Sequence, residues 1–391
     1  MVTRVTNTML QNTLLSNLSM NLGRMDKLQN QLSSGRKYGH ISDDPSALIY
    51  GQAARNKLAR LGHYAGSVET AQSWLTQAEA GVMELNKVVG AVYEELVSAG
   101  SVKTDSDKQN LAKVVKQLQD HYLDTLNTSY GDRFVFGGYN TPGDYADGRD
   151  PTIKPFTLDN NGNLLFNGFN ISQFDGMDSK AFDDIFRKVD LSGLNDDSAE
   201  TKMLTDLGFT GPTAAADFET EHGFTVQDAI KMNRLLNDVI TFDVGAGISM
   251  PVTQNGIDIV FFTTANDLGQ PIVRNSYDLL QEVYIAINGD PETGEPPKST
   301  DELTKLIKLV QDSQNHLLTR TAEIGGRQRR LELLEARYAQ DNLNYEKMRS
   351  DAEDADMAEV IMFLKMAETV YQAALSAGAR VIQPTLMDFL R

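Results

Sequence analysis

The chain has 391 residues, room for two or three domains, and a hydrophobic fraction of 41% that can supply packed cores. Its net charge of −18, from 36 basic and 54 acidic residues, opposes binding to nucleic acid or anionic membranes, which need clustered Lys and Arg. There is no cysteine, so disulfides, thiol catalysis and Cys-based zinc sites are excluded.

The first ten residues carry one Arg and no continuous apolar run, so no cleaved Sec signal is expected. Leu15, Leu18, Leu22, Met25, Gln29 and Leu32 follow with alternating spacings of three and four, the seam of a coiled coil. Leu14 and Leu28 widen the stripe, and Ser33-Ser34-Gly35 is placed to end the helix. Asp43-Asp44-Pro45 reads as an N-cap with Pro at the first helical position. In the long helix that follows, Leu61, Val68, Leu75, Val82, Val89 and Leu96 recur every seven residues, with Ala71, Ala78, Leu85 and Val92 on the second seam column. A further helix is expected from about Asp105 to Ser129, with Leu111, Val115, Leu118, Tyr122 and Leu126 on one side.

Residues 142–300 hold nine of the eleven prolines, with 26 acidic and 10 basic residues, a net of −16. The two flanks together carry only −2. The middle therefore reads as an inserted α+β module within a helical framework. Asn160-Asn161-Gly162 between Phe156–Asp159 and Asn163–Phe166 predicts a hairpin, and Asn255-Gly256 before Ile257–Phe262 predicts a second. Helices are expected over Val226–Val239 and Tyr277–Ile287. Ser299 to Glu302 has capping-box spacing. A stripe then runs from Leu303 through Leu317, Leu331 and Tyr345, with a kink expected at Gly325-Gly326. In the last helix Met357, Leu364 and Tyr371 lie seven apart, with Val360, Ala367, Ala374 and Val381 on the second column, and Pro384 is expected to stop it. Three parts result: residues 1–40 with 355–391 as terminal coiled-coil helices, 41–141 with 301–354 as a long helical bundle, and 142–300 as the acidic outer module. The apolar runs Ile259–Phe262 and Ile361–Leu364 are too short to span a bilayer.

No enzyme is expected. The five histidines show no paired ligand spacing and read as surface residues, and no phosphate-binding glycine loop or serine elbow is present. Asp144, Asp147 and Asp150 lack calcium-loop spacing and read as a solvated loop. The acidic residues Asp351, Glu353, Asp354 and Asp356 suit the dipole at the start of the last helix. Arg327, Arg329 and Arg330 precede Glu332 and Glu335, the pattern of a salt-laced helix face. No metal or cofactor is expected. A lone amphipathic helix is marginal in water, so the terminal stripes need partners: each other, other subunits, or both.

Three stretches together resemble the bacterial flagellin superfamily. They are Leu32-Ser33-Ser34-Gly35 with Ile41-Ser42-Asp43-Asp44-Pro45, Leu126 to Asn140 with its Phe134-Val135-Phe136-Gly137-Gly138, and the C-terminal set Asp341 to Tyr345, Asp356 to Val360 and Pro384 to Leu390. The Pro after the paired Asp is similar to the hook–filament junction proteins; filament subunits usually have Ala there. The resemblance covers roughly 1–141 and 301–391. It implies unfolded export by the flagellar type III route without a cleaved signal, and an extracellular place in the flagellum. It implies assembly on hook-associated protein 1, contact with copies of itself in the axial polymer, a surface on which flagellin polymerises, and a cytoplasmic export chaperone. Nucleic acid and membrane insertion are not expected. The residues expected to form the assembly seam are Leu15, Leu18, Leu22, Met25, Leu32, Met357, Val360, Leu364, Tyr371 and Val381. Two rival readings are flagellin itself and, from another class, a cytoplasmic coiled-coil scaffold.

Overall fold

The computed structural model describes residues 7–40, 42–101, 104–131, 133–138, 154–237, 239–289 and 296–387. Asp144, Asp147 and Asp150 therefore lie outside the described residues. The chain is mainly α-helical, with small antiparallel sheets in the middle region, as expected. It divides into two compact units, residues 1–63 with 336–391 and residues 64–335.

The first unit contains α1 (Asn7–Ser34), the start of α2 (Pro45–Ser101), the end of α10 (Thr300–Glu353) and α11 (Met357–Met387). α1 ends where Gly35 takes φ +69°, a conformation that glycine adopts without a Cβ penalty. The segment after it is spliced to the α10–α11 junction by two backbone bonds: Lys37 N donates to Glu353 O at 2.7 Å, and Ala355 N donates to Gly35 O at 2.8 Å. Asp44 Oδ1 accepts from Ala47 N at 3.0 Å, the expected N-cap, and Pro45 opens α2. Asp43 instead gathers the loop: its carboxylate accepts from Lys27 Nζ at 3.0 Å and from the N–H groups of Gly39 and His40. Those donors, Lys27 first, hold its carboxyl below the usual range.

The second unit takes the rest of α2 and α10 with α3 (Asp105–Leu126) and the inserted module. All ten residues read as the α2 seam, Leu61 in the first unit and nine in the second, are buried. Leu303, Leu306, Val310, Leu317, Ile324 and Leu331 of α10 are buried as well, matching their stripe. Small residues permit close approach: a Cβ on Gly81 would lie 2.7 Å from the Phe136 ring. α10 passes through Gly325-Gly326 as continuous helix. Two glycines cost helix propensity, on the order of 1 kcal/mol each, and buried Ile324 and Leu331 on either side offset that.

In the module the first hairpin forms as predicted. After a two-stranded ribbon of β1 (Ser129–Tyr130) and β2 (Arg133–Phe134), β3 (Phe156–Leu158) pairs with β4 (Leu164–Phe166), and β5 (Phe169–Asn170) completes a three-stranded sheet. Asp159 Oδ1 accepts from the N–H groups of Asn161 and Asn163, closing the turn. α4 (Ser179–Phe186), α5 (Asp196–Asp206), α6 (Ala214–His222) and α7 (Val226–Asn237) follow. Phe174 meets Phe186 and Phe224 at ring-centroid distances of 5.0 Å each, the centre of an aromatic core.

The second predicted hairpin does not form. β6 (Thr241–Gly245) pairs with β7 (Ile248–Pro251), and Asn255 caps a short helix, α8 (Gly256–Val260), by accepting from Ile257 N at 3.0 Å. β8 (Phe261–Ala265) then pairs with β9 (Pro271–Asn275). Gly256 serves close packing instead of a turn: its N–H donates to Phe136 O at 3.1 Å, and a Cβ there would lie 2.6 Å from that oxygen. α9 (Ser276–Asn288) matches its expected span, and Ser299 and Glu302 are hydrogen-bonded at 2.8 Å before α10. α11 extends to Met387, past Pro384 where the sequence places its end. A proline within the last turn removes one helix hydrogen bond without breaking the turns before it.

Candidate assembly surface

α1 and α11 run antiparallel against each other. Leu28 packs with Val360 and Ala367 in a small buried cluster, flanked by Met25, Leu32, Ala355 and Leu364. Asn21 Nδ2 donates to Ala367 O at 3.1 Å, and Gly378 approaches Leu14 so closely that a Cβ would lie 2.7 Å from its methyl. These contacts define the inner face of α1 as Leu14, Leu18, Asn21, Met25, Leu28 and Leu32. The inner face of α11 is Val360, Leu364, Ala367, Tyr371, Ala374 and Gly378.

The expected seam residues divide between two environments. Val360 is buried, and Leu18, Met25, Leu32, Leu364 and Tyr371 are half-buried in this pair. Leu15 at 62% and Leu22 at 45% exposure point away from it, as does Met357. Only the backbone of Val381 is described. Spacing alone does not separate adjacent columns: 14–21–28 and 15–22–29 both fit the repeat, and the partner helix selects the first.

The outward side is apolar too. Met9, Met20, Ile361, Met362, Phe363, Met366, Val370 and Leu375 are exposed. Of these, Ile361 and Leu375 flank the heptad columns of α11 and broaden its stripe. The others lie off the heptad columns, and their signal is the near absence of charge among them. α1 has net charge +1, from Arg24 and Lys27 against Asp26, and α11 has net 0, from Lys365 and Arg380 against Glu359 and Glu368. Such faces can be buried without opposing the chain's overall negative field.

The junction beside the pair is electrostatically closed. Glu353 is buried and takes the Arg55 guanidinium, with Nε at 3.1 Å. Gly51 leaves the room: a Cβ there would lie 2.9 Å from the Tyr38 hydroxyl and closer still to the Glu353 side chain. Glu353 thus anchors the junction. Asp356 provides the expected helix-terminal stabilisation of α11, accepting from Ala358 N at 2.9 Å. Arg329 pairs with Glu332 at 2.7 Å on the exposed face of α10.

Among the described residues no group of three or more His, Asp or Glu is placed to hold a metal ion, and no helix is long and apolar enough to cross a membrane. His316 departs from the surface reading: it is half-buried, 2.7 Å from the Asp258 carbonyl, and burial pushes its pKa down to about 4. Asp278, on α9, accepts from Ser172 Oγ at 3.0 Å. Burial pushes its carboxyl up to about 6, with Asp175 also raising it.

Residues 5–141 match the family described as bacterial flagellin N-terminal helical region. Flagellar hook-associated protein 3 of Salmonella typhimurium is 25% identical over 150 residues, 37% of this chain and 47% of that protein. Flagellar hook-associated protein 3 of Escherichia coli is 26% identical over 117 residues, 29% of this chain and 37% of that protein. The chain thus spans less than half the length of these curated relatives. A solved structure described as a flagellar hook-associated protein of Vibrio parahaemolyticus superposes with a TM-score of 0.51 at 14% identity, covering 80% of this chain and 100% of that one, a likeness of fold. Over its N-terminal helical region the chain is thus similar to the bacterial flagellins, and over parts of its length to hook-associated protein 3.

Proposed function

We propose that the chain is a structural subunit of the bacterial flagellum that joins hook to filament, without catalysis. The observation that carries this reading is the terminal helix pair, apolar on its outward as well as its inward face and almost uncharged. Burying one exposed Leu, Met or Phe contributes about 1.5–3 kcal/mol, so a face with several of them favours association. In this reading the chain is exported unfolded and without a cleaved signal, accompanied in the cytoplasm by an export chaperone. It assembles beside copies of itself on hook-associated protein 1 and presents a surface on which flagellin polymerises.

The expected seam acts twice. Leu18, Met25, Leu32, Val360, Leu364 and Tyr371 close the pair, while Leu15, Leu22 and Met357 meet neighbouring subunits, with Val381 continuing the stripe. The three-part division assigns 1–40 with 355–391 to the inner layer, 41–141 with 301–354 to the bundle, and 142–300 to the solvent side. There the acidic excess keeps the surface soluble. Deletion of the gene is expected to leave hooks intact while flagellin appears in the medium as monomer. Hook–basal bodies imaged beside an assay of secreted flagellin provide the measurement. A deletion strain that still builds filaments from a separate flagellin would sink the proposal.

A further inference from the structure

The apolar residues of the terminal pair are chemically uneven. Seven of the chain's 14 methionines fall in α1 and α11, which together have 28 and 31 residues. At 3.6 residues per turn, Met362 and Met366 stand about 200° and 240° around the α11 axis from Val360, opposite the face that packs on α1. They are 54% and 56% exposed. On α1, Met9 and Met20 are 63% and 64% exposed, and neither lies on the inner face. Met203, Met232 and Met250 in the inserted module are instead 0%, 0% and 2% exposed.

A thioether is the one side chain in this apolar surface that mild oxidants convert into a polar group. With no cysteine in the chain, no thiol competes for the oxidant. We propose that Met9, Met20, Met362 and Met366 form an oxidation site on the outward side of the terminal helix pair, where hydrogen peroxide reversibly converts an apolar docking face into a polar one. The docking clause rests on the structural function proposed above. In the reaction the sulfur attacks one peroxide oxygen. The O–O bond breaks as the S–O bond forms, sulfur loses two electrons, and the second oxygen leaves as water. Each sulfoxide adds a strong acceptor to a face that Met otherwise fills as a flexible apolar residue. The inner face carries one methionine, the half-buried Met25 packed against the Leu28 cluster, and the helices are expected to stay folded.

The test uses the purified full-length chain, hydrogen peroxide, peptide mass mapping and retention on a phenyl matrix. Met9, Met20, Met362 and Met366 are expected to oxidise roughly tenfold faster than the buried Met203, Met232 and Met250, following exposure. Retention should shorten without loss of helical circular dichroism, and reductases for both sulfoxide epimers should restore it. The combined variant Met9→Leu, Met20→Leu, Met362→Leu, Met366→Leu conserves volume; it should retain normally before peroxide and lose at most half as much retention after it as the unsubstituted chain, since the less exposed Met83, Met348 and Met357 remain. Equal oxidation of buried and exposed methionines would overturn the proposal, as would unchanged retention after oxidation or an equal loss in the Leu variant. Attachment to hooks from a junction-deficient strain, scored in parallel, separates the two ideas. An untreated chain that fails to attach refutes the junction function, while the mapping and retention still decide the oxidation site.

Discussion

The terminal helix pair and the inserted module solve opposite burial problems. The module encloses its large side chains: Phe174, Phe182, Phe186 and Phe218 are buried. Among the described residues, the terminal pair buries Leu28, Val360 and Ala367 as its central cluster and leaves a wide apolar surface uncovered. The module is therefore complete within one chain, whereas the pair is stable only marginally by itself. In the proposed function, a surface that is both apolar and nearly uncharged marks where the chain has yet to be covered, and the charged surface marks where it stays in water.

The sharpest way to break this contrast is a charge on the outward face. Leu22→Asp is expected to abolish assembly while changing monomer stability by less than about 0.5 kcal/mol, because Leu22 is exposed in the monomer. Val360→Asp places a charge in the buried cluster and should open the pair itself, at roughly 3 kcal/mol or more. Motility and thermal unfolding read the two effects; full motility in Leu22→Asp would show that this face remains uncovered.

Next in size is the module. Phe174→Ala removes the ring that meets Phe186 and Phe224, and a loss of about 3–5 kcal/mol is expected. Near-UV circular dichroism during denaturant unfolding should shift, while the helix signal of the terminal pair persists at mild denaturant. Loss of both signals together would mean that the regions unfold as one cooperative body.

The smallest effect is a pH dependence within the second unit, with two groups acting in opposite directions. Asp278 titrates near 6 in the fold, above its unfolded value, so the folded state binds the extra proton. Its contribution therefore favours the fold below about pH 4 and is lost as pH rises through 6, on the order of 2 kcal/mol. His316 titrates near 4, below its unfolded value, so its contribution is present above the unfolded pKa and is lost as pH falls toward 4. The wild-type melting temperature should change little between pH 4 and 6.5. Asp278→Asn should make the protein lose stability in acid, and His316→Asn should make it gain. Parallel pH profiles for both variants would refute the assignment.

The parts of this fold that were legible in the sequence are those set by one long period. The α2 seam is regular because one face of one helix repeats the same burial over many turns. Asn160-Asn161-Gly162 was legible because its turn chemistry is local. Asn255-Gly256 carries the same local signal and means something else, since Gly256 is required by the nearby Phe136 carbonyl and Phe156 ring, residues far away in the chain. Leu15 and Leu22 were read as one seam with Leu18 and Met25, yet the choice of column belongs to α11, and the outward methionines carry no period. Glu353 likewise read as a helix-terminal charge, and only the approach of Arg55 and Gly51 makes it a buried anchor.

The splice at Gly35 has a mechanical consequence. Lys37 N to Glu353 O and Ala355 N to Gly35 O link two chain segments that are more than three hundred residues apart in sequence. Tension drawn along α1 meets both backbone bonds and the Arg55–Glu353 pair at the same cross-section. Strain there is divided between the two strands of the splice, and neither polypeptide end carries it alone.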